Sequence, residues 1–283
     1  MNTDYTVIIP THNEEHRLAL AARNFLGRAR IVVVDNYSTD GTVGLAESLG
    51  ISVVRHKNPG FADVGTYRLI LEKVQTEWFW LIYCGHYIPL DLIEGCEAAM
   101  SSGRYDAVAL EGFAVQYGKR TSVYGLNRRR RMETTRLAKK SVIDLARYRI
   151  HSELPYSGSD ERVWYPPMDA AHMIHNFRED DLEMMNAKTA AYSREEARQR
   201  FEKGDRASTR SLLLVPAVDL AKRLFWRGGL REGWPGILVA VAQSYQRFCV
   251  EAHLLELQND AMRDGQRRLN AETRDRCLKQ SGR

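Results

Sequence analysis

Cysteine is scarce in this chain: four residues, at 84, 96, 249 and 277, with no Cys-x-x-Cys pair among 283 positions. That spacing offers no zinc-ribbon or thioredoxin motif and fits a reducing compartment. Long apolar runs are missing too. The longest, Phe79–Cys84, Leu212–Val218 and Ile237–Ala242, fall far short of the roughly 20 residues a bilayer-spanning helix needs. No basic stretch followed by an apolar run opens the chain, so no secretory signal is read and a cytoplasmic location is expected. No internal repeat or low-complexity tract appears. Charge is nearly balanced, 41 Lys and Arg against 36 Asp and Glu for a net +5. This favours anionic partners without naming one. No nucleic-acid module is interleaved with the basic residues, so nucleic acid is not an expected partner. What remains is 44% hydrophobic and 27% charged residues, enough to bury a core and too ordinary for a fibrous, disordered or disulfide-stapled chain.

The first third alternates strand and helix signals. Tyr5–Ile9, Ile31–Val34, Ile51–Arg55 and Trp78–Tyr83 read as short buried strands. Glu14–Leu26, Val43–Leu49 and Thr66–Gln75 read as the helices between them. Such alternation predicts a mostly parallel sheet covered on both faces. In those sheets ligands sit at the carboxyl ends of the strands, here Pro10–Glu14, Asp35–Asp40 and Tyr83–Tyr87. Beyond Asp106, Ala107–Glu111 and Gly112–Tyr117 are strand candidates, and Arg147–Leu154 and Arg162–Trp164 weaker ones. The chain then reads helical: Asp180–Tyr192, Ser193–Lys203, Thr209–Phe225 and Trp234 to about Gln258, with a charged, frayed tail from Asn259.

Two motifs stand out. The first strand runs into Pro10-Thr11-His12-Asn13-Glu14, and the second into Asp35-Asn36-Tyr37-Ser38-Thr39-Asp40-Gly41-Thr42. Together they resemble the opening of a family 2 glycosyltransferase, with P-T-x-N-E followed by V-V-D-x-x-S-x-D-G-T. The resemblance is strong over residues 5–83 and thinner to about 258. It implies an α/β fold of the GT-A, Rossmann-like type with a helical C-terminal extension. The expected division is a glycosyltransferase domain over residues 1–178, helices over 179–258 and a flexible tail over 259–283. Within that domain, residues 1–105 are expected to bind nucleotide and residues 106–178 to form the acceptor side. The resemblance also implies a transferase of hexosyl type that uses a nucleotide-diphosphate sugar, first a uridine one, in inverting transfer to a hydroxyl acceptor.

Physical chemistry and the resemblance together nominate residues. Asp35 either accepts hydrogen bonds from the nucleotide or organises its own turn, and Pro10, Thr11, Asn13 and Glu14 wall the donor or cap a helix. Asp40 reads as a helix cap. Family members end the next strand in D-x-D, whose carboxylates hold Mg²⁺ or Mn²⁺; here that place reads Tyr83-Cys84-Gly85. Neither Tyr83 nor Gly85 supplies a carboxylate for a hard cation. Three readings stay open: cationic side chains replace the metal, the metal is held elsewhere by Asp63, Glu111 or His175, or the protein is a catalytically degenerate scaffold. His86 is either a phosphate or sugar contact or a loop histidine bonded to backbone.

Arg128-Arg129-Arg130-Arg131 is either a solvated loop or a phosphate or acceptor contact, with Arg128 and Arg131 nominated. His151-Ser152-Glu153 resembles the family's acceptor-side His-Glu motif with one residue inserted. Glu153 is the first candidate for the general base and His151 the second. His175 resembles a donor-site residue, and Lys188 its charge partner on a helix ending in Tyr192-Ser193. Pro216 and Gly228-Gly229, Gly233 and Gly236 resemble the tail of lipopolysaccharide-core-type members, which implies a lipid-linked or cell-envelope saccharide acceptor and polysaccharide biosynthesis. Lys222, Arg223, Arg227 and Arg231 around Leu224, Phe225 and Trp226 suit either an inner-face membrane surface or a helix packed with its charges in water.

Overall fold

The computed structural model describes residues 4–60, 62–121, 134–148, 154–178 and 182–281. In chain order the first half runs β1 (Tyr5–Thr11), α1 (Glu15–Ala22), β2 (Arg30–Asp35), α2 (Thr42–Ser48), β3 (Ser52–Arg55), α3 (Val64–Lys73), β4 (Trp78–Leu81), β5 (His86–Tyr87) and α4 (Leu90–Ser101). Then come the short strands β6 (Ala107–Val108), β7 (Gly112–Gln116), β8 (Lys119–Thr121), β9 (Thr134–Thr135), β10 (Leu137–Lys139), β11 (Leu154–Pro155), β12 (Val163–Trp164) and β13 (Ile174–Phe177). Helices α5 (Leu182–Glu202), α6 (Thr209–Ala221), α7 (Trp234–Gln258) and α8 (Asp260–Ser281) complete the chain.

The main sheet has the order β12-β6-β10-β4-β1-β2-β3, and only β10 runs antiparallel to its neighbours. Side-chain alternation splits its residues between two cores, as the period of two requires. Val7, Ile9, Val33, Trp80 and Ile82 point to the face covered by α1, α2 and α4. Ile8, Val32, Val34, Phe79 and Leu81 point to the other, under α3. A second sheet, β5-β13-β7-β8, stands beyond the carboxyl end of β4. Parallel pairing in register (Thr11 opposite Asp35, Ile8 opposite Leu81) brings the ends of β1, β2 and β4 to one edge.

Several expected boundaries move. Strand β1 continues through Pro10 to Thr11, whose carbonyl accepts from the Asn36 N–H. Of the two helices read over Asp180–Tyr192 and Ser193–Lys203, the described part is the single helix α5, Leu182–Glu202. Buried Ser193 breaks nothing, and Glu195 pairs with Arg198 and Gln199 within the helix. Within the expected strand Arg147–Leu154, Leu145–Arg147 is a 3-10 turn capped by Asp144, and only Leu154 of the remainder enters a described strand. The expected helix Thr209–Phe225 gives way after Ala221 to a π-helical turn, Lys222–Trp226. The charged tail carries helix α8.

Candidate active site

The two motif loops are fastened to each other. Thr39 N–H donates to Asn13 Oδ1 (2.8 Å), Asn13 N–H to Ser38 Oγ (2.8 Å) and Glu14 N–H to Thr42 Oγ1 (2.7 Å). Glu15 N–H donates to Asp40 Oδ2 (3.2 Å), and Gly41 N–H returns a bond to Glu15 Oε2 (2.9 Å). Asn13 sits in the left-handed region at φ 56°, which asparagine tolerates better than most residues. Asp40 caps α2 through Thr42 N–H and hydroxyl, as its spacing predicted.

Asp35 lies beneath this double loop. It is fully buried and accepts from the Thr11 hydroxyl (3.1 Å), the Ser38 N–H (3.0 Å) and the Ser38 hydroxyl. Of the nominated donor residues, Pro10, Glu14, Tyr83, Gly85 and His86 line the large cleft beside the sheet edge, and so does Lys188; Thr11, Asn13 and Asp35 do not. His175 is also outside it, its Nε2 2.9 Å from the Ala170 carbonyl and its ring packed on Phe113 and Tyr87. Arg128, Arg131, His151 and Glu153 lie outside the described residues.

The cleft has a volume of about 2130 Å³ and runs between the ends of β1 and β4, the second sheet and helices α5–α7. Eleven arginines and lysines line it against four carboxylates, a surplus of seven that exceeds the +5 of the entire chain. Arg200 pairs with Asp205 and Glu251, and Arg223 with Asp219, so part of this surplus is compensated from behind the lining; what is left favours anions. Sequence reading missed most of these cations. Arg17 is fixed by a bidentate pair with Glu14, both contacts 2.7 Å, one helical turn after the first motif. A β-carbon built on Gly85 would stand 3.5 Å from Arg17 Nη1 and only 2.4 Å from the Phe177 carbonyl oxygen. Arg136 lies over the Tyr83 ring. The Glu14–Arg17 spacing of three was the one legible signal; the others depend on strand and helix ends meeting across the cleft.

His86 is buried, and the Tyr83 N–H donates to its Nδ1 at 3.3 Å. Burial, with Arg136, Arg178 and Arg17 nearby, holds its pKa well below the ordinary histidine value. It therefore enters the site as a neutral ring bonded to backbone, not as a cationic phosphate ligand. Burial likewise pushes the Cys84 thiol up, so it stays protonated. Tyr67, Tyr83, Tyr148 and Tyr192 make an aromatic wall of the cleft; the Tyr67 and Tyr148 rings meet edge-on at 5.3 Å, and burial keeps both phenols protonated.

A divalent cation at the β4 end does not fit these side chains. Tyr83, Cys84 and Gly85 offer no carboxylate, and Glu14 is held by Arg17. Asp63 caps α3 through Thr66 (2.8 Å). Among the described residues no group of three His, Cys, Asp or Glu side chains stands close enough to hold a metal.

The sequence pattern described as Glycosyl transferase family 2 matches residues 6–152, just over half of the chain. The protein belongs to glycosyl transferase family 2. It is a glycosyltransferase, and the edge formed by β1, β2 and β4 lies within the matched segment. An uncharacterized glycosyltransferase of Rickettsia bellii (strain RML369-C) is 25% identical over 264 residues, covering 89% of this chain and 86% of that one. Similar solved structures include S. aureus TarS 1-349 in complex with UDP (12% identity, 91% of this chain and 92% of that one, TM-score 0.46). Another is the mannosyltransferase PcManGT from Pyrobaculum calidifontis in complex with GDP-Man and Mn²⁺ (13% identity, 90% and 88%, TM-score 0.49). No helix among the described residues is long and apolar enough to cross a membrane.

Proposed function

We propose that this family 2 glycosyltransferase moves a sugar from a nucleotide-diphosphate donor, a uridine one first, to a hydroxyl acceptor with inversion. In this reading cationic side chains, not a D-x-D-bound metal, balance the leaving diphosphate. The observation that carries it is Arg17, whose guanidinium stands beside Gly85, where the family's second metal-binding carboxylate would be. Guanidinium groups recognise phosphate oxygens in paired, charge-assisted bonds and need no metal to do so.

The donor's diphosphate would lie along Arg17, Arg136, Arg178 and Lys188, and its base against Pro10 and the tyrosine wall. Asp35, buried and engaged, supports the nucleotide loop from below. A base removes the acceptor hydroxyl proton as the acceptor oxygen forms its bond to the anomeric carbon. The bond from that carbon to the diphosphate breaks on the opposite face, and its electron pair leaves on the phosphate oxygen. Preorganised cations stabilise the charge that develops there. Glu153, then His151, is the proposed base on the family's acceptor motif.

The acceptor we propose is a lipid-linked or cell-envelope saccharide. Phe225, Trp226 and Trp234 are 65%, 84% and 66% exposed, and Leu213 and Val218 on α6 are also solvent-facing. Lys222, Arg227 and Arg231 stand among them, an arrangement complementary to an anionic lipid surface.

Calorimetric titration with UDP, UDP-sugars and GDP-mannose, each with Mn²⁺, Mg²⁺ or EDTA, tests the reading. One donor should bind in EDTA, about tenfold or more weakly to Arg17→Gln. Binding that requires metal would overturn the cation reading. No binding to any nucleotide would leave a degenerate scaffold.

A further inference from the structure

The cleft is larger than one ligand needs: about 2130 Å³, against the roughly 300–1,000 Å³ typical of a small-molecule site. Two groups stand out among its cations. Arg17, Arg136, Arg178 and Lys188 act on Cys84 and His86 at the end of β4. Arg223 and Arg247 act on Arg227, which sits on the wall formed by the π-turn and α7.

That second wall is built to hold arginines in place. Arg223, Arg227 and Arg231 recur every fourth residue through the π-turn and the glycine turn after it, and Arg247 reaches across from α7. The turn is closed by bonds from Gly229 N–H to the Arg223 carbonyl (3.0 Å) and from Arg227 N–H to the Lys222 carbonyl (3.0 Å). Gly236 packs so tightly there that a β-carbon on it would lie 2.3 Å from the Gly229 oxygen. Arg223 is buried and its Nε donates to Asp219 (2.5 Å), while Arg247 donates to Glu196 (3.0 Å). Glu232, the other carboxylate at this end, accepts from the Thr121 hydroxyl (2.6 Å). Burial, then the charges of Arg223 and Arg247, lower the proton affinity of Arg227 below the ordinary guanidinium value, with Asp219 opposing. Arg227 keeps its charge at neutral pH.

We propose that Arg223, Arg227, Arg231 and Arg247 form a second anion subsite that seats a phosphate carried by the acceptor. This deepens the proposed function and rests on it for the role of acceptor. Phe225 and Trp226, which line the cleft beside these arginines, would pack on the sugar or chain that bears the phosphate. The same phosphate chemistry could be presented by a soluble sugar phosphate or by a lipid headgroup.

The experiment titrates inorganic pyrophosphate into the full-length chain held at saturating UDP. A second saturable site should remain. Arg227→Gln and Arg231→Gln should each weaken it about tenfold or more while UDP affinity stays within about twofold; Arg17→Gln should show the reverse. Circular dichroism melts confirm that the variants are folded. Abolition of pyrophosphate binding by UDP, or wild-type affinity in both arginine variants, would overturn the subsite. Glucose 6-phosphate and vesicles of phosphatidylcholine with or without phosphatidic acid then separate the two sources. Arg227-dependent binding of either supports a phosphate-bearing acceptor and identifies its form; Arg227-dependent binding of neither refutes it. If UDP itself fails to bind while pyrophosphate binding still requires Arg227, the donor reading falls and the anion subsite stands.

Discussion

Replacing Gly85 with alanine tests the close packing at the end of β4. The added β-carbon would come 2.4 Å from the Phe177 carbonyl oxygen, far inside van der Waals contact. It cannot be relieved by moving that backbone away, because the Phe177 N–H donates to the Gly85 carbonyl at 2.6 Å and binds the two segments together. Overpacking of this kind costs about 1–3 kcal/mol. For a chain of this size each kcal/mol lowers Tm by roughly 2–4 °C, so a fall of about 2–12 °C is expected. Gly44→Ala is the matched control: it lies within α2 with nothing within 4 Å of the new carbon, and it should raise stability by about 0.5–1 kcal/mol. Thermal unfolding followed by circular dichroism measures both. Gly85→Asp goes further, since restoring a carboxylate there meets the same oxygen and should not create Mn²⁺-dependent UDP binding. A Gly85→Ala protein that melts with wild type, or a Gly85→Asp protein that gains metal-dependent donor binding, would refute the argument.

Asp35→Asn should lower Tm by roughly 2–10 °C, since a charged acceptor of three hydrogen bonds is lost from a buried position; an unchanged melt would mean that the carboxylate does not organise the loop. His86 is held neutral in the fold, its pKa well below 6.5, so the unfolded chain binds more protons below that pH. Stability should therefore fall as pH drops below about 6.5, by up to about 1.4 kcal/mol per pH unit from this group, and denaturant unfolding of wild type and His86→Gln between pH 7.5 and 5.5 isolates the difference. Glu153→Gln should reduce turnover about a hundredfold or more while UDP binding is retained, and normal turnover would remove Glu153 as the base. Trp226→Ala with Phe225→Ala should reduce co-sedimentation with phosphatidylglycerol-containing vesicles; wild-type sedimentation would show that this face does not meet lipid.

Much of the sheet was legible because its signals are local. β-Branched runs mark β1 and β2, and Pro-Thr-His-Asn-Glu and Ser-Thr-Asp-Gly-Thr mark the loops at their carboxyl ends. The roles inside those motifs were harder to read. Asp40 caps a helix as its spacing suggested, yet Asp35 spends its oxygens on Thr11 and Ser38, a pairing that requires β1 and β2 to lie side by side. Tyr192-Ser193 looked like a helix end but falls mid-helix, because local propensity there contains no true breaker. The four-arginine run drew attention by composition, whereas Arg178 and Arg247 are isolated in sequence and left no pattern to read.

By itself the sequence determined the alternation of strands and helices and the edge formed by the carboxyl ends of the strands, because both depend on residue type and short-range spacing. Only the tertiary structure decided where the charge goes. A net +5 says little until eleven cations and four carboxylates face one cleft. Electrostatic focusing depends on distances between residues far apart in the chain, and those distances exist only once the sheet edge, the second sheet and helices α5–α7 have packed around a common space.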